Sequence, residues 1–593
     1  MSEKISTKLP VILLGVIIVV ASFLMIGVAR QESAIMDELA HIPAGYGYVK
    51  YFDFRLNPEH PPLLKVLAAL PLLTMDLNFP TTHRSWTTDI NGQWEVGAKF
   101  LYESGNDADK IVFVSRIIPI LFTLLTIILI YLWSKELFSK WWALIPPFLF
   151  ALSPTVLAHG HYVTTDIAAA FGIILATYLF LKFLLHSSRR NLIWAGIGLG
   201  IAELAKFSAV LLIPYFLIVL LFFIFSPLRR YSRRYYFGSA FLIFLIALFI
   251  IYAVYFIFTL NYPLEKQAAD SKFILNSFSP RWLAGIPTVL AENRITRPLA
   301  EYILGFLMVM QRSAGGNTTY FLGVVSAAGS KLYFPLTFFL KESLPVIIFI
   351  LTAFTVGVWK FFKSVKNKSR VKRFIDFLGT NFSEFAMFLF VAIYWVYTVR
   401  SPLNIGFRHL LPSIPFIYIL SVIGLKTLRF NLKKWALGLL LIWFAAETFV
   451  AAPYFLSYFN QIGGGTRGGY RYVTDSNYDW GQDLKRLVAF TDEKRISKIA
   501  VDYFGGGNPQ YYLNDKVEYW WSSKGNPKEM GVEWLAVSVN TLQGAFGRLY
   551  PGHQRSPNDE YRWLRDLRSQ PTAFGEVPLP DFRVGTSIFV YHL

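Results

Sequence analysis

Through its first 455 residues the chain alternates long apolar runs with short polar breaks. Eleven runs are predicted to cross a bilayer as helices, at 11–29, 111–133, 141–158, 167–185, 191–204, 206–225, 237–260, 333–359, 385–399, 409–428 and 435–455. About 20 apolar residues in helical form match the hydrocarbon thickness; the run at 191–204 is the shortest. The first run follows Lys4 and Lys8, and no small-x-small cleavage pattern comes after it, so it reads as an uncleaved anchor. Two polar intervals are long, 30–110 and 261–332. In the first, residues 62–73 are apolar but too few to span, which predicts a helix lying in the membrane interface. The second holds aromatics and the pair Gly315-Gly316, and is expected to act as a mobile lid.

Past residue 455 the pattern turns soluble. A helix is predicted over 479–491, with Leu484, Leu487 and Val488 on one face, and another over 559–568. Stretches rich in Val, Ile and aromatics predict strands at 498–504, 533–539 and 586–591. The expected architecture is a polytopic α-helical membrane region of about 11 spans, residues 1–455, followed by a small extracytoplasmic α/β domain, residues 456–593. The aromatic groups Tyr511-Tyr512 and Tyr519-Trp520-Trp521 read first as core of that domain and second as a surface for stacking sugar rings.

Charge fixes the orientation. Assigning the N-terminus to the cytoplasm puts the short basic loops 134–140, 186–191, 227–236, 360–373 and 429–434 on one side. That is the positive-inside pattern, and it favours an odd number of spans with an external C-terminus in the inner (plasma) membrane. The net charge of +19 is therefore loop charge facing the cytoplasm, not a nucleic-acid surface. Hydrophobic residues make up 54% of the chain and charged ones 16%, which excludes an ordinary soluble protein. The absence of cysteine excludes disulfides and thiolate chemistry.

Acidic groups and histidines gather in the intervals on the other side. Asp37 and His41 are four apart, so on a helix they share a face while Glu38 points away. Asp37 is a candidate general base, with His41 orienting it or a ligand; the plainer reading is a solvated helix end. Glu59 and His60 precede Pro61-Pro62 and Lys65, a lysine placed at headgroup depth where it can meet a lipid phosphate or simply snorkel. His159, His161, Thr165 and Asp166 join two spans; Thr165 or Asp166 is also a natural helix cap. His159 and His161 are candidate metal ligands together with Glu59 or His60, at a spacing that singles out no metal. Arg408 opens a further span, where backbone N–H groups already favour anions. Six of the nine histidines fall in these outer intervals, which points to one convergent site.

These segments resemble a known group. Asp37-Glu38, His60-Pro61-Pro62-Leu63-Leu64-Lys65 and Val163-Thr164-Thr165-Asp166 resemble the protein O-mannosyltransferases and the lipid A aminoarabinose transferases, both of the C class of glycosyltransferases. Tyr333-Phe334-Pro335, the stretch 406–412 and the stretch 470–484 resemble a bacterial branch of that class. The resemblance implies a polyprenyl-phosphate sugar donor, an acceptor hydroxyl on a lipid, glycan or protein, and no nucleic acid. It implies Asp37 as base, Asp166 and Glu38 as further acidic residues of the site, and Lys65 and Arg408 on the carrier phosphate. His60, His41 and Tyr46 join the expected substrate-binding set. It also implies a divalent cation held with the help of Glu59, for which the residues themselves add His161 as a second ligand. Two departures stand out: His41 is four residues after the aspartate where yeast-type enzymes have three, and the second long interval is too short for a MIR-type lectin insertion, which argues against a protein acceptor. The competing classes are a lipid-substrate transporter or flippase and a non-catalytic membrane scaffold.

Overall fold

A computed structural model of the chain describes residues 2–363, 370–428, 431–551, 554–556, 559–568 and 577–593. Eight helices in it are long and apolar enough to cross a membrane: Lys8–Gln31, Ala108–Leu137, Thr165–Leu185, Phe207–Phe225, Arg233–Phe258, Phe382–Arg400, Phe407–Thr427 and Lys433–Ala451. A ninth is broken, with Tyr333–Lys341 and Leu344–Trp359 meeting at 118°. Lys341 sits in that break, its ammonium donating to the carbonyls of Leu456 (2.9 Å), Tyr458 (3.1 Å) and Asn477 (2.6 Å). The other two of the eleven predicted runs are shorter helices. Trp142–Leu152 stops where Ser153 caps a new helix at Pro154, and Arg189–Ala205 ends at the extended residue Lys206. That 17-residue helix lies tightly against Thr165–Leu185: a Cβ at Gly172 would come 2.8 Å from the Ala202 Cα, the close approach that small residues give membrane helices. Of the basic loops, residues 364–369 and Arg429 lie outside the described residues.

The apolar stretch 62–73 forms the helix Leu63–Ala69 running into the 3₁₀ turn Leu70–Thr74. The second long interval is more ordered than a lid reading suggests. It folds into helices Leu264–Ile274, Arg281–Ala291 and Arg297–Gly315, then a hairpin of strands Thr319–Phe321 and Val324–Ser326. The hairpin's second strand pairs in parallel with Arg548–Leu549, so backbone hydrogen bonding ties the interval to the C-terminal part.

The C-terminal part holds a five-stranded sheet in the order Val517–Tyr519, Ile499–Asp502, Trp534–Ser538, Ile588–His592, Phe582–Val584. The first three strands are parallel and the last two antiparallel. The predicted helices are Leu484–Glu493 and Arg562–Leu567. Its apolar side is not separate from the membrane part: one hydrophobic cluster runs from the spans through Phe334 and Phe407 to Tyr470, Trp480 and Phe589. Of the aromatic run, Trp520 is buried, while Tyr519 and Trp521 are exposed.

Candidate active site

The site forms where several helices begin or end at one end of the bundle. Asp37 is the residue before helix Glu38–Tyr51, and its carbonyl accepts the His41 N–H (2.9 Å). Asp166 lies in the first turn of Thr165–Leu185. Lys206 occupies the extended break between Arg189–Ala205 and the next span. Arg408 sits on the 3₁₀ turn Phe407–Ser413 that opens the span it belongs to. Glycine is required just before it, because a Cβ at position 406 would collide with Ser476 Oγ.

Arg408 joins the two aspartates. Its guanidinium donates to Asp37 Oδ2 (2.5 Å) and stands 3.6 Å from Asp166 Oδ2. Lys206 Nζ donates to Asp166 Oδ1 (2.5 Å). The indole of Trp480 lies against the guanidinium, 4.3 Å from its centre to the ring centroid. Two carboxylates therefore face two cations. Burial alone would raise the Asp37 pKa, but the charge of Arg408, then that of His41, outweighs it and holds the carboxyl below its ordinary value. His41 gives its Nδ1 hydrogen to the Val163 carbonyl (2.8 Å), leaving Nε2 as an acceptor, and its ring meets that of His60 edge-on at 5.1 Å. Arg408 Nε is buried without a hydrogen-bond partner, a donor that an incoming anion can satisfy.

These groups wall a cavity of about 400 Å³. Asp37, His41, Glu59, His60, Lys206 and Arg408 are among its polar lining residues. Leu211, Phe306, Val309, Met310 and Leu403 are among its apolar ones, and most of the lining is apolar. A second cavity of similar volume shares Asp37 and Arg408 with the first.

The predicted residues divide into those the fold brings to this cavity and those it does not. Asp37, His41, Glu59, His60 and Arg408 line it, and Asp166 is held at its wall through Arg408 and Lys206. Glu38 faces away. It is fully buried and takes two hydrogen bonds from Arg116 (2.9 and 2.7 Å) and one each from the Ile35 and Val163 N–H groups. Arg116 spends its other donors on the carbonyls of Ala29, Glu32 and Ser33. The pair thus fixes the chain on either side of Asp37 and the segment leading to Asp166. Lys65 also departs from the phosphate role. It is completely buried, and its ammonium is held by Tyr48 Oη (3.0 Å), Asn57 O and Oδ1 (both 2.9 Å) and His60 O (2.8 Å), so it has no donor left for a ligand. Burial pushes its pKa well below the ordinary value. Tyr46 packs between Phe79 and Phe100, away from the cavity.

The expected metal ligands do not come together. Glu59 pairs with Arg312 (3.0 Å). His161 spends Nε2 on Glu32 (3.1 Å) and Nδ1 on the Leu157 carbonyl (2.8 Å). Among the described residues no group of three or more His, Asp or Glu side chains is arranged around a cation position, and no chemical step is assigned to one below. Of the six outer histidines, His41, His60 and His409 reach the cavity, while His83 caps the short helix Arg84–Thr87.

Four further residues of the site escape a reading of the sequence: Lys206, Arg312, Asp475 and Trp480. A lone lysine between two apolar runs was the visible signal for Lys206. The stretch 470–484 was noticed only as a resemblance; the structure shows it as a seam. The Trp480 and Gln482 carbonyls accept from Met36 and Ser33 (both 3.1 Å). Asn477 Oδ1 accepts from the Phe407 N–H (2.8 Å). Asp483 accepts from the N–H groups of Thr586 (2.8 Å) and Ser587 (2.9 Å). The seam binds the first outer interval, the Arg408 turn and the C-terminal sheet together.

Residues 108–257 match the family model described as dolichyl-phosphate-mannose-protein mannosyltransferase. The chain resembles that family. The matched stretch contains Arg116, Asp166 and Lys206 but neither Asp37 nor Arg408. No curated protein matches the sequence. Among solved structures it is similar to the oligosaccharyltransferase of Archaeoglobus fulgidus, with 13% identity over 90% of this chain and 70% of that one and a TM-score of 0.45. It is similar to the protein O-mannosyltransferase Pmt1-Pmt2 complex of S. cerevisiae, with 21% identity over 42% and 33% and a TM-score of 0.32. It is also similar to ArnT of Cupriavidus metallidurans, with 11% identity over 99% and 98% and a TM-score of 0.31.

Proposed function

We propose that this multi-span membrane protein is a glycosyltransferase that moves a sugar from a polyprenyl-phosphate carrier to an acceptor hydroxyl, with Asp37 as the base. The observation that carries the reading is the Asp37–Arg408–Asp166 group at the wall of a cavity whose lining is mostly apolar. Apolar lining beside fixed cations suits an amphiphile whose phosphate must be gripped while its hydrocarbon stays dry. The mannosyltransferase family match over 108–257 agrees with this chemistry.

In the reaction the acceptor oxygen attacks the anomeric carbon and its proton passes to the Asp37 carboxylate. The bond from that carbon to the phosphate oxygen breaks, and polyprenyl phosphate leaves with the electron pair. Arg408 and Lys206 stabilise the charge that develops on the leaving phosphate. The donor phosphate competes with Asp37 for Arg408, so donor binding releases the base from its ion pair and raises its proton affinity when a proton must be taken. Asp166 keeps Lys206 and Arg408 aimed at the phosphate. The arginine pairs 189–190 and 233–234 begin helices that run toward the site, which supports an extracytoplasmic site in the plasma membrane by the positive-inside rule. A transporter places its charges in broken helices near mid-membrane; here they gather at helix ends on one face.

The test is direct. The purified protein in nanodiscs is given a panel of polyprenyl-phosphate sugars, and released polyprenyl phosphate is measured by mass spectrometry. Release from at least one donor is expected; release from none, with the protein folded, rejects the reading.

A further inference from the structure

The second cavity is lined differently from the first. Thr318 from the second outer interval and Asp475, Trp480 and Asn540 from the C-terminal part line it and not the first. The two cavities share Asp37, Trp94, Arg312, Ile405 and Arg408. We infer that this cavity, walled by the C-terminal part, is the acceptor site and that its acceptor is a carbohydrate. The role as acceptor site rests on the transferase reading above; the carbohydrate chemistry rests on the lining.

That lining offers what a polyhydroxylated ring needs. Asn540 Oδ1 accepts the Asp475 N–H (3.3 Å), so the asparagine keeps its Nδ2 hydrogens for a ligand. The asparagine is itself set by its own N–H, which donates to Asp479 Oδ2 (2.8 Å). Asp475 gives Oδ1 to the Ser476 N–H (2.5 Å), which leaves its other oxygen for a ligand hydroxyl. Burial raises its pKa to about 6 despite the nearby Arg408, so near neutrality it can accept from a hydroxyl or, in its protonated fraction, donate to one. Thr318 adds a hydroxyl, and the exposed Trp94 supplies an aromatic face for the C–H side of a sugar ring. The volume, about 400 Å³, lies in the ~300–1,000 Å³ range of small-molecule sites. The lining here is half polar, whereas that of the first cavity is mostly apolar, the surface a lipid tail needs. A hydroxyl seated here lies beside Asp37, which also lines the donor cavity.

The experiment reads binding apart from turnover. Methyl α-mannoside, methyl β-glucoside and methyl β-galactoside are titrated against the full-length protein in nanodiscs by saturation-transfer NMR, with a serine/threonine peptide and a short-chain lipid as rival ligands. Wild type is expected to bind at least one glycoside in preference to both rivals. Asp475→Asn and Asn540→Ala are expected to weaken that binding about tenfold, the scale of one lost hydrogen bond to a polar group. Only variants that melt with wild type are read, and Thr318→Val stands in if the others unfold. Glycosides that fail to bind wild type, that bind it less well than peptide or lipid, or that bind the folded variants equally well overturn the inference, whether or not donor is consumed. Glycoside binding that depends on these residues without donor cleavage keeps the carbohydrate site and rejects the transferase reading instead.

Discussion

Arg408 and Asp37, 371 positions apart in the chain, meet through a 2.5 Å hydrogen bond that closes the base of the site in its resting state. The same guanidinium reaches Asp166 at 3.6 Å. A carboxylate held in this way is kept ionised and at the same time kept occupied, so its availability as the proposed base depends on what else engages the arginine.

Replacing Asp37 with Asn removes the proton acceptor and keeps the shape. Turnover is expected to fall by about two orders of magnitude, the low end of the ~10²–10⁴ typical of general-base catalysis. The melting temperature should fall less than in Glu38→Ala, since Asn keeps a side-chain oxygen for Arg408 and Asp166 still faces the guanidinium. Polyprenyl-phosphate release at wild-type rate from a verified Asp37→Asn preparation would remove the aspartate from the mechanism.

The acid limb of the kcat/KM profile should report Asp37 in the donor-free protein. Because Arg408 holds its pKa below the ordinary carboxylate value, the ionised, active form persists as pH falls through that range and is lost only below it. Arg408→Gln removes the principal lowering charge and leaves burial, which acts upward. Its residual activity should therefore be lost at higher pH than in wild type. An acid limb that stays in place or moves down in the variant would dissociate the two groups.

Glu38 is predicted to matter for folding rather than for proton transfer. Glu38→Ala leaves the buried Arg116 charge without its carboxylate, which costs about 3–5 kcal/mol for a broken buried pair. A fall in melting temperature together with activity is expected, in contrast to Asp37→Asn. Loss of activity with unchanged melting would instead give Glu38 a part in the chemistry.

Lys65 separates a structural role from a phosphate-binding one. Lys65→Met leaves the Asn57 and His60 carbonyls and the Asn57 amide oxygen without their shared donor. The first outer interval is expected to become sensitive to proteolysis and the protein less stable by about 1–3 kcal/mol per unsatisfied buried group. An unchanged melting temperature with a raised donor KM would restore the phosphate role.

Much of the fold was legible because membrane helices announce themselves one at a time: a run such as 111–133 is apolar enough to span whatever its neighbours do. The runs at 141–158 and 191–204 form shorter helices than the others for a physical reason, a serine–proline stop in one and a polar break at Lys206 in the other. Asp37, Asp166 and Arg408 were legible as charges at span ends, where desolvation makes an idle charge costly. Glu38 and Lys65 had the same appearance and different duties, because a buried charge that holds a loop and one that faces a ligand are alike until their partners are known.

The chain itself determined the helices, their alternation, the soluble C-terminal region and the crowding of ionisable groups between particular spans, since each follows from local hydropathy and residue type. Tertiary structure alone decided that Arg408 closes on Asp37, that Arg116 claims Glu38, and that the segment 470–484 carries Asp475 and Trp480 to the rim of the membrane site. Those pairings depend on helix ends and loops 78 to 371 residues apart packing into one another, and no local preference encodes which charge will find which partner.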